Sequence, residues 1–158
     1  MTTEQASGPG RTPFARLFAV GYRTLIEDLH RELHSRGWTD VRPAYGFVLL
    51  AAADVTTVGD LAALMGMTKQ AASKLVDDMV GGGYLGRSTA GADARRKDVR
   101  LTARGRALLD EVESIYREMD ERWAATLGAD RIERVRTDLE TVLLDPDTHQ
   151  LPPIRPLW

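Results

Sequence analysis

The chain has 158 residues, of which 43 % are hydrophobic and 28 % charged, with a formal net charge of −2. This composition suits one globular unit with a core, and the absence of cysteine excludes disulfides, thiol nucleophiles and cysteine-based zinc sites. No apolar run approaches the roughly 20 residues that cross a bilayer, and the first residues lack the pattern of a signal peptide. We therefore expect a cytoplasmic protein without a membrane partner.

The charge is unevenly distributed along the chain. Residues 66–106 contain nine Lys and Arg against four Asp, a net charge of +5 that leaves −7 for the rest. A basic segment within an acidic chain indicates one surface that binds a polyanion.

The N-terminal third is predicted to contain two helices. Residues 1–12 are rich in Thr, Ser, Gly and Pro and are expected to be disordered. Apolar residues recur at helical spacing from Phe14, and Gly37 ends this long helix. Pro43 suits the first turn of a second helix, which is apolar all round and therefore predicted to be buried.

Two short helices joined at a glycine follow. Thr57, with Asp60 three residues later, suits the N-cap of the first. Gly66 suits a left-handed stop, Thr68 suits the N-cap of the second helix, and glycines 81–83 end it. The residues that this second helix is predicted to bury are Ala71, Ala72, Leu75, Val76 and Met79.

The rest of the chain predicts a hairpin, two helices and a tail. Residues 84–88 and 97–102 have the pattern of two strands around a long tip, and glycines at 81, 82 and 86 predict a mobile root for this hairpin. Thr102 suits the N-cap of a long helix, which breaks near Gly128 before a last helix. The fold class is therefore mostly α with a small β-hairpin wing, a winged helix-turn-helix with long terminal helices.

The exposed face of the second short helix carries side chains suited to DNA. A helix in the major groove presents its N-terminal residues to base edges. There Gln70 can bond adenine twice, and lysines can reach guanine or phosphate. A solvated helix face is the alternative, but the basic hairpin beside it favours DNA. The predicted contact residues are Thr68, Lys69, Gln70, Ser73 and Lys74.

Two stretches resemble the MarR (multiple antibiotic resistance regulator) family of winged helix-turn-helix transcriptional regulators. They are "DLAALMGMTKQAASKLVDDMVGGGYLGR" and "DARRKDVRLTARG". The second matches the family's wing motif, Asp-x-Arg-x₃-apolar-x-Leu-Thr-x-x-Gly, from Asp93 to Gly105. The resemblance is strongest over about residues 58–106 and extends more weakly over about 12–145.

The resemblance implies a homodimer that binds double-stranded DNA. Residues 13–37 and 103–145 would form the dimerisation region, residues 42–102 the winged helix-turn-helix domain, and residues 146–158 a Pro-rich tail. Two-fold symmetry implies a palindromic operator.

The resemblance also assigns roles to the wing. Arg95 would enter the minor groove, where narrow A·T-rich DNA concentrates negative potential, and Asp93 would hold its guanidinium. Arg96 and Lys97 would contact phosphates.

An effector is a further implication, since many family members release DNA on binding a small aromatic or phenolic ligand. The residues considered for such a pocket are Tyr22, His30, Trp38, Tyr45 and Phe47, for which ordinary core packing is the alternative. His30 and His34 have a metal-compatible spacing without a third ligand nearby in sequence, so neither a metal nor another cofactor is expected.

Two other classes of function are alternatives to a repressor. No phosphate-cradling loop, metal-hydrolase motif or nucleophile elbow is present, so an enzyme is not expected. Asp77 and Asp78 on the recognition helix, with the acidic net charge, leave open a winged-helix module that binds a protein instead of DNA.

Overall fold

The computed structural model describes residues 11–53, 56–88, 98–149 and 152. These residues form a mostly helical fold with one small sheet, which confirms the predicted fold class. None of the described helices combines the length and hydropathy needed to cross a bilayer. The elements in chain order are α1 (Phe14–Ser35), α2 (Pro43–Ala51), β1 (Thr56–Thr57), α3 (Val58–Met65), α4 (Lys69–Gly81), β2 (Leu85–Ser88), β3 (Asp98–Leu101), α5 (Ala103–Leu127) and α6 (Ala129–Leu143).

The second helix is buried on one side only, which corrects the prediction that it is buried all round. Tyr45, Val48 and Leu49 lie in the core, whereas Leu50 is 49 % exposed. The buried side of α2 packs against α3 and α5. The other side of α2 lines a cavity. An apolar helix therefore need not be buried on every side.

The predicted caps begin and end the helices of the helix-turn-helix. Thr57 Oγ1 accepts a hydrogen bond from Asp60 N at 3.1 Å, and the Asp60 carboxylate accepts one from Thr57 N at 3.1 Å. Gly66 adopts a left-handed conformation with φ of 63°. Thr68 Oγ1 then accepts a hydrogen bond from Ala71 N at 3.2 Å, which begins α4.

The helix α4 buries one narrower stripe than predicted. Ala72, Val76 and Met79 are buried, but Ala71 is exposed. Successive helical residues are about 100° apart around the axis, so Ala71 lies outside the buried stripe that contains its neighbour Ala72. The prediction that Ala71 is buried is wrong for this reason.

The sheet has three strands in the order β1-β3-β2, all antiparallel. Leu85 lies opposite Leu101, and both are buried together with Val99. The strand β1 was not predicted, because two residues are too few to show an alternating pattern. Residues 89–97, which connect β2 to β3, lie outside the described residues.

Hydrogen bonds tie down the wing root, which comprises residues 82–85 and 101–105. The Thr102 hydroxyl donates to the carbonyl oxygens of Gly83, at 2.6 Å, and Tyr84, at 3.0 Å. It also accepts a hydrogen bond from Gly105 N at 3.0 Å, while Tyr84 itself is completely buried. The described residues therefore show a hydrogen-bonded root, and the mobility that the glycines predicted stays a prediction.

Gly105 allows the start of α5 to approach the wing root. A Cβ atom at this position would lie 2.1 Å from the carbonyl oxygen of Tyr84, a separation that no side chain tolerates. The glycine that closes the wing motif is therefore required by packing.

Arg36 joins the end of α1 to the middle of α5. Its guanidinium lies 2.7 Å from the Glu111 carboxylate and 2.6 Å from that of Glu118. The hydrogen bond from Arg36 lowers the pKa of Glu118. These contacts link α1 to α5, the helices that lie before and after the helix-turn-helix and wing in the chain.

Substitution of Gly105 tests the close approach. We expect Gly105→Ala to lower the free energy of unfolding by about 1–3 kcal/mol, because the Tyr84 carbonyl or the start of α5 must shift. Urea unfolding followed by circular dichroism, at one protein concentration, measures the change.

Gly81→Ala is the matched control for this substitution. Nothing lies within 4 Å of a Cβ placed there, and alanine is the better helix former, so stability should not fall. Equal stability of Gly105→Ala and the unsubstituted protein would contradict the packing argument.

Candidate nucleic-acid interface

The N-terminal half of α4 presents a cationic and polar face. Thr68, Lys69, Gln70 and Lys74 are exposed, and Ser73 is half-buried beside them. Residues three and four apart on a helix share a face, so Lys69 and Gln70 lie beside Ser73 and Lys74, with Thr68 at the cap before them. No carboxylate in the described ranges lies within ion-pairing distance of Lys69 or Lys74. Both ammonium groups are therefore available to an anionic partner.

Two carboxylates near the end of α4 are paired. The Asp77 carboxylate lies 2.5 Å from the guanidinium of Arg87 on β2. The Asp78 carboxylate lies 2.9 Å from that of Arg42, which immediately precedes α2. These pairs offset the negative charge of Asp77 and Asp78, which favoured a protein partner over DNA. They also link α4 to the wing on one side and to the start of α2 on the other.

The predicted wing contacts cannot be placed. Asp93, Arg95, Arg96 and Lys97 all lie outside the described residues. The described part of the wing adds the exposed Arg100 on β3, and Arg106 is exposed on the first turns of α5. Positive charge thus continues from the wing strand onto the adjoining helix.

An aromatic cluster that sequence reasoning missed supports the wing root. The Tyr84 hydroxyl donates to the Asp40 carboxylate at 2.6 Å, and burial raises the pKa of Tyr84. The Arg104 guanidinium lies 4.8 Å from the centre of the Tyr84 ring and 5.3 Å from that of Trp38, within the range of cation–π attraction. The edge of Tyr45 contacts Tyr84 as well. The cluster joins the α1–α2 connection to the wing root.

Trp38 and Tyr45 belong to this cluster. The sequence suggested them as lining residues of a ligand pocket, but they do not line the cavity described below. The rings contact Tyr84, on the side of the protein where α4 meets the wing. No pattern in the sequence pairs Trp38 with Tyr84, because 45 residues separate them and neither lies in a shared motif.

A cavity of about 270 Å³ lies between α1, α2 and α5. Its walls are mostly apolar, and Tyr22, His30 and Phe47 line it as considered from the sequence. Burial lowers the pKa of His30, so this imidazole is neutral at pH 7. Burial also raises the pKa of Tyr116 in the same wall. The cavity can hold a small apolar or aromatic molecule.

One stretch of the sequence matches a family model. The sequence model described as "MarR family" matches residues 47–96, which span α3, α4 and β2. Among curated proteins, none matches this sequence.

Solved structures share the fold over most of the chain. A mutant MarR from E. coli is 22 % identical with a TM-score of 0.70, covering 85 % of this chain and 99 % of that one. The MepR–DNA complex from S. aureus is 22 % identical with a TM-score of 0.64, covering 84 % and 97 %. The YusO protein from Bacillus subtilis is 18 % identical with a TM-score of 0.65, covering 82 % and 91 %. The predicted resemblance is confirmed: residues 47–96 match the model of the MarR family, and the chain shares the fold of these solved structures over most of its length.

Proposed function

We propose that this protein is a homodimeric, sequence-specific DNA-binding regulator that represses transcription from a palindromic operator. The observation that carries the proposal is the face of α4, where Lys69, Gln70 and Lys74 are exposed and paired with no described carboxylate. A capped helix with this face fits the major groove, in which glutamine reads adenine and lysine reads guanine or phosphate. The similar fold of MepR, solved as a complex with DNA, supports the same use of α4 here.

The proposed dimer rests on apolar side chains that one chain leaves exposed. Phe14 is 76 % exposed, and Phe18 is 51 % exposed on the same helix. Trp123 at the end of α5 is 48 % exposed, Val142 on α6 is 78 % exposed, and no residue of α6 is buried. Large exposed apolar side chains on three terminal helices indicate a protein interface, and a second copy related by two-fold symmetry covers them most economically.

The proposed repressor is released by a small aromatic ligand in the cavity between α1, α2 and α5. The cavity adjoins the helices assigned to dimerisation and the start of α2, which contacts the recognition helix through Arg42. Occupancy there can therefore alter how α4 is held relative to the dimer.

Selection of bound sequences from random duplex DNA tests the function. A regulator of this kind enriches a palindrome whose half-sites lie about one helical turn apart. Its affinity for DNA should also fall steeply as salt rises: the logarithm of the binding constant falls by about 0.9 per phosphate contact for each tenfold rise in salt. A protein-interaction module would retain no duplex DNA at low salt, and that result would overturn the proposal. Sedimentation of the free protein tests the dimer separately.

Substitution of Arg95 tests the wing. Arg95→Ala is expected to weaken operator binding by about 1–3 kcal/mol, because it removes a guanidinium from the minor groove, while the dimer stays intact. Fluorescence anisotropy with the selected operator measures the affinity. Arg117→Ala, an equal charge change on an exposed position of α5, is the control and should bind normally. Unchanged affinity of Arg95→Ala would remove the wing from the interface.

Substitution of Gln70 separates base reading from phosphate contact. Gln70→Ala should relax the preference at one base pair of each half-site, at a cost of about 1–3 kcal/mol for the preferred base, because only base contacts carry sequence information. Lys74→Ala is the comparison and should weaken all sequences alike and reduce the salt slope by about one. Repeated selection with each variant measures both effects. An unaltered preference in Gln70→Ala would exclude Gln70 from base reading.

A further inference from the structure

We propose that Ala71 is a specificity-determining residue of α4, and that its methyl group selects a thymine of the operator close to the adenine that Gln70 reads. This inference rests on the proposed function. It adds an apolar contact to a helix face whose other predicted contacts are polar or charged. It also names the chemical group that the contact recognises, the 5-methyl group of thymine.

Ala71 lies on the exposed surface of α4, as the third residue of the helix. Its neighbour Ala72 is buried, whereas Ala71 is exposed, as are Gln70 before it and Lys74 three residues after it. Residues three apart on a helix are neighbours on its surface, so Ala71 lies beside Lys74. The N-cap also holds this position, because Ala71 N donates to Thr68 Oγ1 at 3.2 Å.

The ion pairs of α4 leave its first turn open. Asp77 pairs with Arg87 on β2, and Asp78 pairs with Arg42 before α2. Both carboxylates lie about two turns beyond Ala71, or about 10 Å along the helix axis. They therefore attach the second half of α4 to its neighbours. A recognition helix contacts base edges with its N-terminal residues, which is the part that carries Ala71.

A methyl group can read one feature of the major groove. The base edges there present hydrogen-bond donors and acceptors, and the one apolar group among them is the 5-methyl group of thymine. The side chain of Ala71 forms no hydrogen bond, so against a donor or acceptor it would leave that group desolvated and unpaired. Against thymine, contact removes the apolar surface of both methyl groups from water. The base that Ala71 favours is therefore thymine.

The position of Ala71 next to Gln70 places the thymine within the half-site. Adjacent side chains point about 100° apart on a helix about 10 Å wide, and successive bases of a strand are about 3.4 Å apart. The two contacts therefore fall within about two base pairs of each other. The thymine is the partner of the adenine that Gln70 reads or belongs to a pair close by.

A uracil scan of the selected operator tests the contact. Uracil pairs as thymine does and lacks only the 5-methyl group. We expect one thymine of the half-site, within about two base pairs of the position whose preference Gln70→Ala relaxes, to be sensitive. Its replacement in one half-site should weaken binding about fourfold, the effect of one buried methyl group. Fluorescence anisotropy measures the affinity, and uracil in the flanking DNA is the control, which should change nothing.

Removal of the methyl group from the protein assigns the contact. With Ala71→Gly, the thymine and uracil operators should bind equally, because the protein has no methyl group left to contact. Ala107→Gly, the same change on an exposed position of α5, is the matched control and should keep the fourfold difference. Glycine also weakens a helix. That effect acts on both operators alike and cancels in the comparison.

Each opposite result overturns the proposal. A half-site without a sensitive thymine near the Gln70 position would refute the selection of thymine, and this reading needs no variant of Ala71. A penalty for uracil that persists in full in Ala71→Gly would assign the contact to another residue. These results on a selected operator refute the role of Ala71 alone, whereas a protein that selects no operator overturns the proposed function as well.

Discussion

The hydroxyl of Thr102 joins three parts of the molecule that must stay in register. It donates to the carbonyl oxygens of Gly83 and Tyr84, at the end of the recognition helix and the start of the wing, and it accepts from Gly105 N at the start of α5. The absence of a side chain at Gly105 allows the Tyr84 carbonyl to approach this closely. The position of the wing relative to α4, and of both relative to the long helix, depends on this contact.

Charge pairs also link the helix α4 to its neighbours. Asp77 is bound to the wing strand through Arg87, and Asp78 is bound to the start of α2 through Arg42. Carboxylates beside a DNA-reading face would repel phosphates if they were unpaired. Here they act as attachment points, which leaves Lys69 and Lys74 as the charges directed outward.

Local chemistry explains why so much of the fold was predictable from particular residues. Thr57 with Asp60, Gly66, Thr68 and Thr102 act within a few positions of themselves, through caps and a left-handed turn, so spacing alone predicts them. Burial is less local. Ala71 on α4 and Leu50 on α2 are apolar residues, yet both are exposed, because burial depends on which neighbouring element covers each side. The two-residue strand β1 likewise exists only because β3 lies beside it.

The sequence by itself determined the order of the helices and of the hairpin strands β2 and β3, the caps of the helix-turn-helix, the wing motif and the set of polar residues on α4. Each of these depends on residues close together in the chain. Only the tertiary structure decided what distant residues do together. It paired Asp78 with Arg42 and Tyr84 with Asp40, and it placed Trp38 and Tyr45 with Tyr84 while Tyr22, His30 and Phe47 line the cavity. It also joined the wing root to the residue that precedes α5, through hydrogen bonds from Thr102 to the carbonyl oxygens of Gly83 and Tyr84.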